Sequence, residues 1–137
     1  MSEKRPFKPL NIAVLTVSDS RSLADDRSGD RLVERLEGAG HHLFERELLP
    51  DDIYRIRATV SRWIAERECD VVITTGGTGL TGRDGTPEAV SVLFDKTIDG
   101  FGEMFRSLSF ETIGSSTLQS RATAGVANRT YLFVLPG

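Results

Sequence analysis

Residues 74–89 read TTGGTGLTGRDGTPEA and follow directly on the apolar run DVVI. Glycines and threonines dominate the stretch, an Arg83-Asp84 pair interrupts it, and it contains no lysine. Successive backbone N–H groups together with the hydroxyls of Thr74, Thr75 and Thr78 suit an anion cradle. Asp84 is the unexpected member. Its ordinary reading is a turn aspartate that bonds nearby backbone at a helix start. Its functional reading is a Mg²⁺ ligand beside phosphates, since Mg²⁺ keeps waters and needs only one or two carboxylates from the protein. Asp51, in LLPDD, carries the same two readings: an N-cap, or a second acidic ligand facing the same crevice. Arg83 and Arg121 can grip phosphate bidentately, although one arginine taken alone is by default a surface residue.

Two familiar phosphate motifs fit poorly. Gly77, Gly79 and Gly82 match G-x-G-x-x-G, but in the dinucleotide fingerprint the helix opens within the glycines. Here it starts later, at Thr86-Pro87, and the preceding strand is the third rather than the first. A P-loop requires Lys-Ser/Thr after the glycines, and none follows. A plain turn using the positive φ of glycine stays open beside the cradle.

Hydrophobic periodicity supplies the elements that must carry these residues. NIAVLTVSDS (11–20) is a buried strand fading into a loop. Leu32, Val33 and Leu36 form one face of a helix ending at the GAG of 38–40. HHLFERELL reads as a second strand near an edge. Pro50-Asp51-Asp52 opens a helix whose stripe is Ile53, Ile56, Val60, Trp63 and Ile64. CDVVITT is a third strand. Thr86 as N-cap, Pro87 at the first helical position and Glu88 in the first turn open the next helix, with Ala89, Val90, Leu93 and Phe94 on its core face. Phe101, Met104, Phe105 and Leu108 repeat the helical period. Residues 115–128 suit a tightly packed strand or turn followed by a short helix, and YLFVLPG is a last strand. Strands alternating with helices predict a three-layer αβα domain with a mostly parallel sheet. Ligands of such sheets bind outside the carboxyl ends of the strands. VSDS, LLPDD, TTGGTG and the closing LPG all fall there.

Bulk properties bound the rest. The chain has 137 residues, 39% hydrophobic, with a net charge of −3. That suits one domain spanning residues 9–137, with residues 1–8 expected as a disordered tail. No broad basic surface points to nucleic acid. No long apolar run points to a membrane, so a cytoplasmic location is the default expectation. The single cysteine, Cys69, excludes a disulfide within the chain and reads as an inert buried thiol. His41 and His42 lack metal-site spacing.

The combination of TVSDS with DRSGD, LLPDD, VVITTGGTGLTGRDGTPEA, GFGEMFRSLSFETIGSSTLQSRATAGVAN and LFVLPG resembles the molybdopterin-binding MoaB/MogA family of molybdenum-cofactor biosynthesis, and its MoaB branch more than its MogA branch. The resemblance implies transfer of AMP from Mg-ATP to molybdopterin, with release of pyrophosphate. It places Thr75, Gly76, Gly77, Thr78 and Gly79 around phosphate or pterin, and Asp84 and Asp51 at the metal and nucleotide. Ser120 and Arg121 fall on the pterin side, while Ser18 and Asp19 line the crevice. It also implies a homo-trimer or homo-hexamer, and a domain whose C-terminal end lies past Gly137. Gly85 stands where the family commonly has a larger residue. A non-catalytic molybdopterin carrier is the alternative. A nicotinamide-dependent Rossmann enzyme is a third reading; it needs an acidic residue roughly 20 positions past the glycines, for which Asp95 and Asp99 are loosely in range.

Overall fold

In the computed structural model, which describes residues 6–137, the pleat of the first strand sets the architecture. β1 (Asn11–Val17) turns Ala13, Leu15 and Val17 to one face and Ile12 and Val14 to the other. All five are buried, as in a strand covered on both sides. The chain continues through α1 (Arg27–Gly38), β2 (His42–Leu49), α2 (Ile53–Ala65), β3 (Val71–Thr75), α3 (Thr86–Ser91), β4 (Lys96–Thr97), α4 (Phe101–Ile113), β5 (Thr123–Ala127) and β6 (Thr130–Leu135). Short 3-10 segments lie at Leu23–Asp25 and Gly114–Gln119.

The six strands are ordered β2-β1-β3-β6-β5-β4. β2, β1, β3 and β6 are mutually parallel; β5 runs antiparallel to β6 and to β4. The expected edge strand is β2. On one face Ile56, Val60 and Trp63 of α2 and Ala89 and Val90 of α3 pack on Leu15, Val72 and Leu132. On the other, Leu36 of α1 packs with Val14 and Val71, and Phe101 of α4 meets Phe133 at 5.4 Å between rings. The three-layer αβα arrangement follows, with a mixed sheet.

Several local expectations give way to tertiary pairing. Thr86 is not the N-cap of α3: Gly85 occupies that position, Thr86 is the first helical residue, and no side chain caps the helix. α3 stops at Ser91, so Leu93 and Phe94 reach the core from the turn beyond it. The reason is sheet pairing. Asp95 N donates to Val126 O at 2.8 Å, drawing the chain into the two-residue strand β4. In 115–128 the order is reversed, the 3-10 segment coming first and β5 second. Gly125 is the key there, because a Cβ on it would lie 2.3 Å from the Phe94 ring. Cys69 is buried, and burial pushes its thiol up to about 11. His41 accepts from Leu10 N through Nδ1 and lies against the ring of Phe7. Of the tail expected at 1–8, residues 1–5 lie outside those described. No helix of the described residues is long and apolar enough to cross a membrane.

Candidate functional site

β1 has β2 on one side and β3 on the other, so the chain leaves it in opposite directions and a crevice opens outside the carboxyl ends of β1 and β3. Three loops meet there. After β1, Ser18 Oγ accepts from Ser20 N and Arg21 N, and Ser18 N donates to Leu49 O. Asp19 then projects its carboxylate to accept from Arg83 Nε at 3.1 Å and Nη2 at 2.7 Å, and from Asp51 N at 3.0 Å. After β2, capping is the work of Asp52, which accepts from Tyr54 N and Arg55 N. Asp51 is thereby free of the cap. Its carboxylate points across the crevice and accepts from Gly85 N at 3.1 and 3.2 Å.

The loop after β3 is shaped by Gly76 and Gly77, with φ of +99° and +70°. A Cβ at Gly76 would lie 2.3 Å from Val17 O; one at Gly77 would lie 2.2 Å from Thr86 Oγ1 and 2.9 Å from Asp51 Oδ2. Only glycine allows this approach of backbone to carboxylate. Thr75 Oγ1 donates to Pro136 O, and Thr78 is buried beneath the loop. Asp84 accepts from Thr81 Oγ1 at 2.7 Å and Thr81 N at 3.0 Å.

The two carboxylates are set apart by their surroundings. Burial raises the pKa of Asp51, and the nearby charges of Asp19 and Asp84 push it further up against the opposing Gly85 N–H. The Thr81 hydroxyl and amide hold Asp84 below its ordinary value. The Arg83 fork likewise lowers Asp19. An excess of negative charge therefore faces the crevice, with hard oxygen ligands and no lysine. That is what a divalent cation such as Mg²⁺ neutralises.

Gly77, Thr78, Gly79, Asp84 and Ser120 line one open cavity of about 330 Å³, together with Phe105, Ser109 and Thr117. The buried Thr117 Oγ1 and Ser120 Oγ have no hydrogen-bond partner among the described residues. Ser18, Thr75 and Gly76 line a second cavity of about 200 Å³ on the other side of the loop. Both arginines are engaged within the protein. Arg83 is held by Asp19, and Arg121 donates through Nε to Gly79 O at 2.7 Å, through Nη2 to Asp84 O and through Nη1 to Glu88.

One residue escaped the reading of the sequence. Asp26 lines the second cavity yet is fully buried. It accepts from Thr16 Oγ1 at 2.6 Å, Gly29 N at 2.9 Å and Arg46 Nη2 at 3.1 Å. Burial alone would raise its pKa; these donors outweigh that and hold it low. A Cβ at Gly29 would lie 2.0 Å from Asp26 Oδ2. An acidic N-cap three residues ahead of glycine was the available signal.

Residues 13–137 match the family of molybdenum-cofactor biosynthesis domains described as a "Probable molybdopterin binding domain". The chain belongs to this family. It is similar to molybdenum cofactor biosynthesis protein B of Escherichia coli (strain K12), with 54% identity over 131 residues, covering 96% of this chain and 77% of that protein. A crystal structure of a molybdenum cofactor biosynthesis protein B superposes with TM-score 0.92 at 43% identity, covering 97% of this chain and 83% of the other. The crystal structure of the tungsten cofactor synthesizing protein MoaB from Pyrococcus furiosus gives 0.84 at 38%, covering 96% and 84%. The sequence motifs that resemble the family lie within the matched span, and the glycine loop of this family member joins its two carboxylates at one crevice.

Proposed function

We propose that the protein acts in molybdenum-cofactor biosynthesis as a molybdopterin adenylyltransferase, transferring AMP from Mg-ATP to molybdopterin. The observation that carries this reading is the pairing of Asp51 and Asp84 across a cradle of positive-φ glycines, where phosphate-binding lysine is absent. Asp51 and Asp84 would hold Mg²⁺, which supplies charge neutralisation for phosphates crowded at one point. The amides of Gly77 and Thr78 orient phosphate oxygens, since Gly76 N is held by Leu135 O, and Ser120 with the hydroxyl-lined cavity receives the pterin. A phosphate oxygen of the pterin attacks the α-phosphorus in line, the bond to the β-phosphate oxygen breaks, and pyrophosphate leaves. Positioning and charge, rather than a protein nucleophile, carry such a step.

The test is pyrophosphate release with Mg-ATP, with and without molybdopterin, beside Asp84→Asn. Pterin-dependent release in the parent and its loss by about 100-fold or more in the variant is the expected result. Pterin binding with no release would establish instead the second reading, a molybdopterin carrier. The engagement of Arg83 by Asp19 and of Arg121 by the loop favours that reading, since neither guanidinium is left free for phosphate. The nicotinamide reading loses one of its acidic residues: Asp95 accepts from Asn128 N in the β5–β6 turn, at the end of the sheet opposite the carboxyl ends of β1 and β3.

The proposed assembly is a homo-trimer, or a homo-hexamer built from trimers. On α4, Phe101 and Phe105 stack on each other and Phe101 turns inward to Phe133, whereas Met104, Leu108, Phe110 and Ile113 are exposed. An apolar face of this kind supports contact with a second copy.

A further inference from the structure

Arg121 meets the glycine loop through two peptide units. Its backbone N donates to Thr78 O at 2.9 Å, and its Nη2 to Asp84 O. A planar trans peptide points its C=O and the following N–H in opposite directions, and no cis bond occurs among the described residues. The Thr78–Gly79 unit therefore turns Gly79 N–H away from Arg121; that N–H is among the donors that hold Asp84 low, and Gly79 packs so closely on the carboxylate that a Cβ would lie 2.7 Å from Asp84 Oδ2. The Asp84–Gly85 unit likewise turns Gly85 N–H away, and there it donates to Asp51 at 3.1 Å. Both N–H groups belong to glycines. A third bond, from Nε to Gly79 O, fixes the segment between the two units, and Glu88 on α3 holds the guanidinium from behind.

We propose that Arg121 is a positioning residue that orients Asp51 and Asp84 together, by fixing the two peptide units whose N–H groups face those carboxylates. It need not touch a ligand to do so. The fork geometry is essential, because Nε and Nη2 must reach carbonyls five residues apart in the chain while Nη1 meets Glu88, which one ammonium cannot reproduce. That these are the reacting carboxylates rests on the adenylyl-transfer reading; their orientation by Arg121 does not.

The experiment is amide hydrogen exchange on the whole chain labelled with ¹⁵N-glycine, comparing the parent with Arg121→Lys and the milder Glu88→Gln. Gly79 and Gly85 should exchange together at least about tenfold faster in Arg121→Lys and by a smaller factor in Glu88→Gln, while Gly125 in the sheet keeps its rate. Unchanged rates at both glycines, or acceleration of only one, overturn the proposal. Should Arg121→Lys loosen the whole sheet, Glu88→Gln decides alone: paired acceleration supports the proposal, and its absence overturns it. In pyrophosphate release, Arg121→Lys should lower kcat with little change in KM for Mg-ATP; a rise in KM alone would instead make Arg121 a substrate contact. Failure of release in the parent removes the adenylyl-transfer reading and leaves the exchange result to decide this one.

Discussion

Three aspartates of this molecule obey opposite electrostatic rules. Asp26 has a lowered folded pKa, so its contribution is fully present above the unfolded value of about 3.9 and is lost as pH falls through the folded pKa. Asp26→Asn should cost about 3 kcal/mol at pH 7, because it leaves Arg46 beside a buried acceptor of the wrong charge; thermal unfolding at pH 7 and pH 3 checks both size and pH dependence. Asp51 runs the other way. Its raised pKa means that the folded state binds a proton more tightly, so its charge destabilises at neutral pH and is relieved as pH drops. Asp51→Asn should therefore raise the melting temperature at pH 7 while abolishing pyrophosphate release. A melting temperature that falls would sink this account. Asp84, held low by Thr81, keeps its charge to lower pH than an unperturbed aspartate.

At the scale of elements, the loop after β3 is the part least tolerant of change. Gly76→Ala places a Cβ against the Val17 carbonyl and forces a left-handed backbone on alanine. The expected cost is about 1–3 kcal/mol of strain before any shift of the cradle, measurable by denaturant unfolding, with ligand affinity falling further than stability. How much of this was legible in the sequence differs by element. β1, β2, β3, α1, α2 and β6 declared themselves because one apolar period ran through each of them and local and tertiary preferences agree there. The glycine turn was legible as well, since adjacent glycines directly after a strand mark a chain that must enter positive φ. β4, β5 and the end of α3 were not: the helical spacing of Ala89, Val90, Leu93 and Phe94 runs past the end of α3 at Ser91, and the chain beyond takes its form from pairing with Val126 and Gly125. The cap of α2 stayed open between two readings for a related reason. Neighbouring Asp51 and Asp52 offer the same side chain, and only the crevice decides which is spent on the helix. Arg121 reads as a phosphate ligand in sequence for a similar reason, since its carbonyl partners lie some forty residues away.

For the whole molecule, the exposed face of α4 makes a prediction of its own. In the trimer or hexamer proposed above, Leu108→Glu should reduce the mass to that of a monomer by light scattering while circular dichroism stays unchanged, because Leu108 is 64% exposed within one chain. A variant that keeps the parent mass would remove α4 from the interface. The buried side of the molecule has a different consequence. Trp63, the single tryptophan, is fully enclosed near the end of α2, whose start at Asp52 is the end beside the crevice. A helix rises about 1.5 Å per residue, which puts the indole more than two turns from the crevice where phosphates are proposed to bind. Its emission should be blue-shifted in the native protein, silent to ligand and sharply responsive to loss of the core. The chain thus carries a fluorophore that reports on unfolding and is blind to occupancy, so a substitution that spoils binding can be told from one that spoils the fold in a single cuvette.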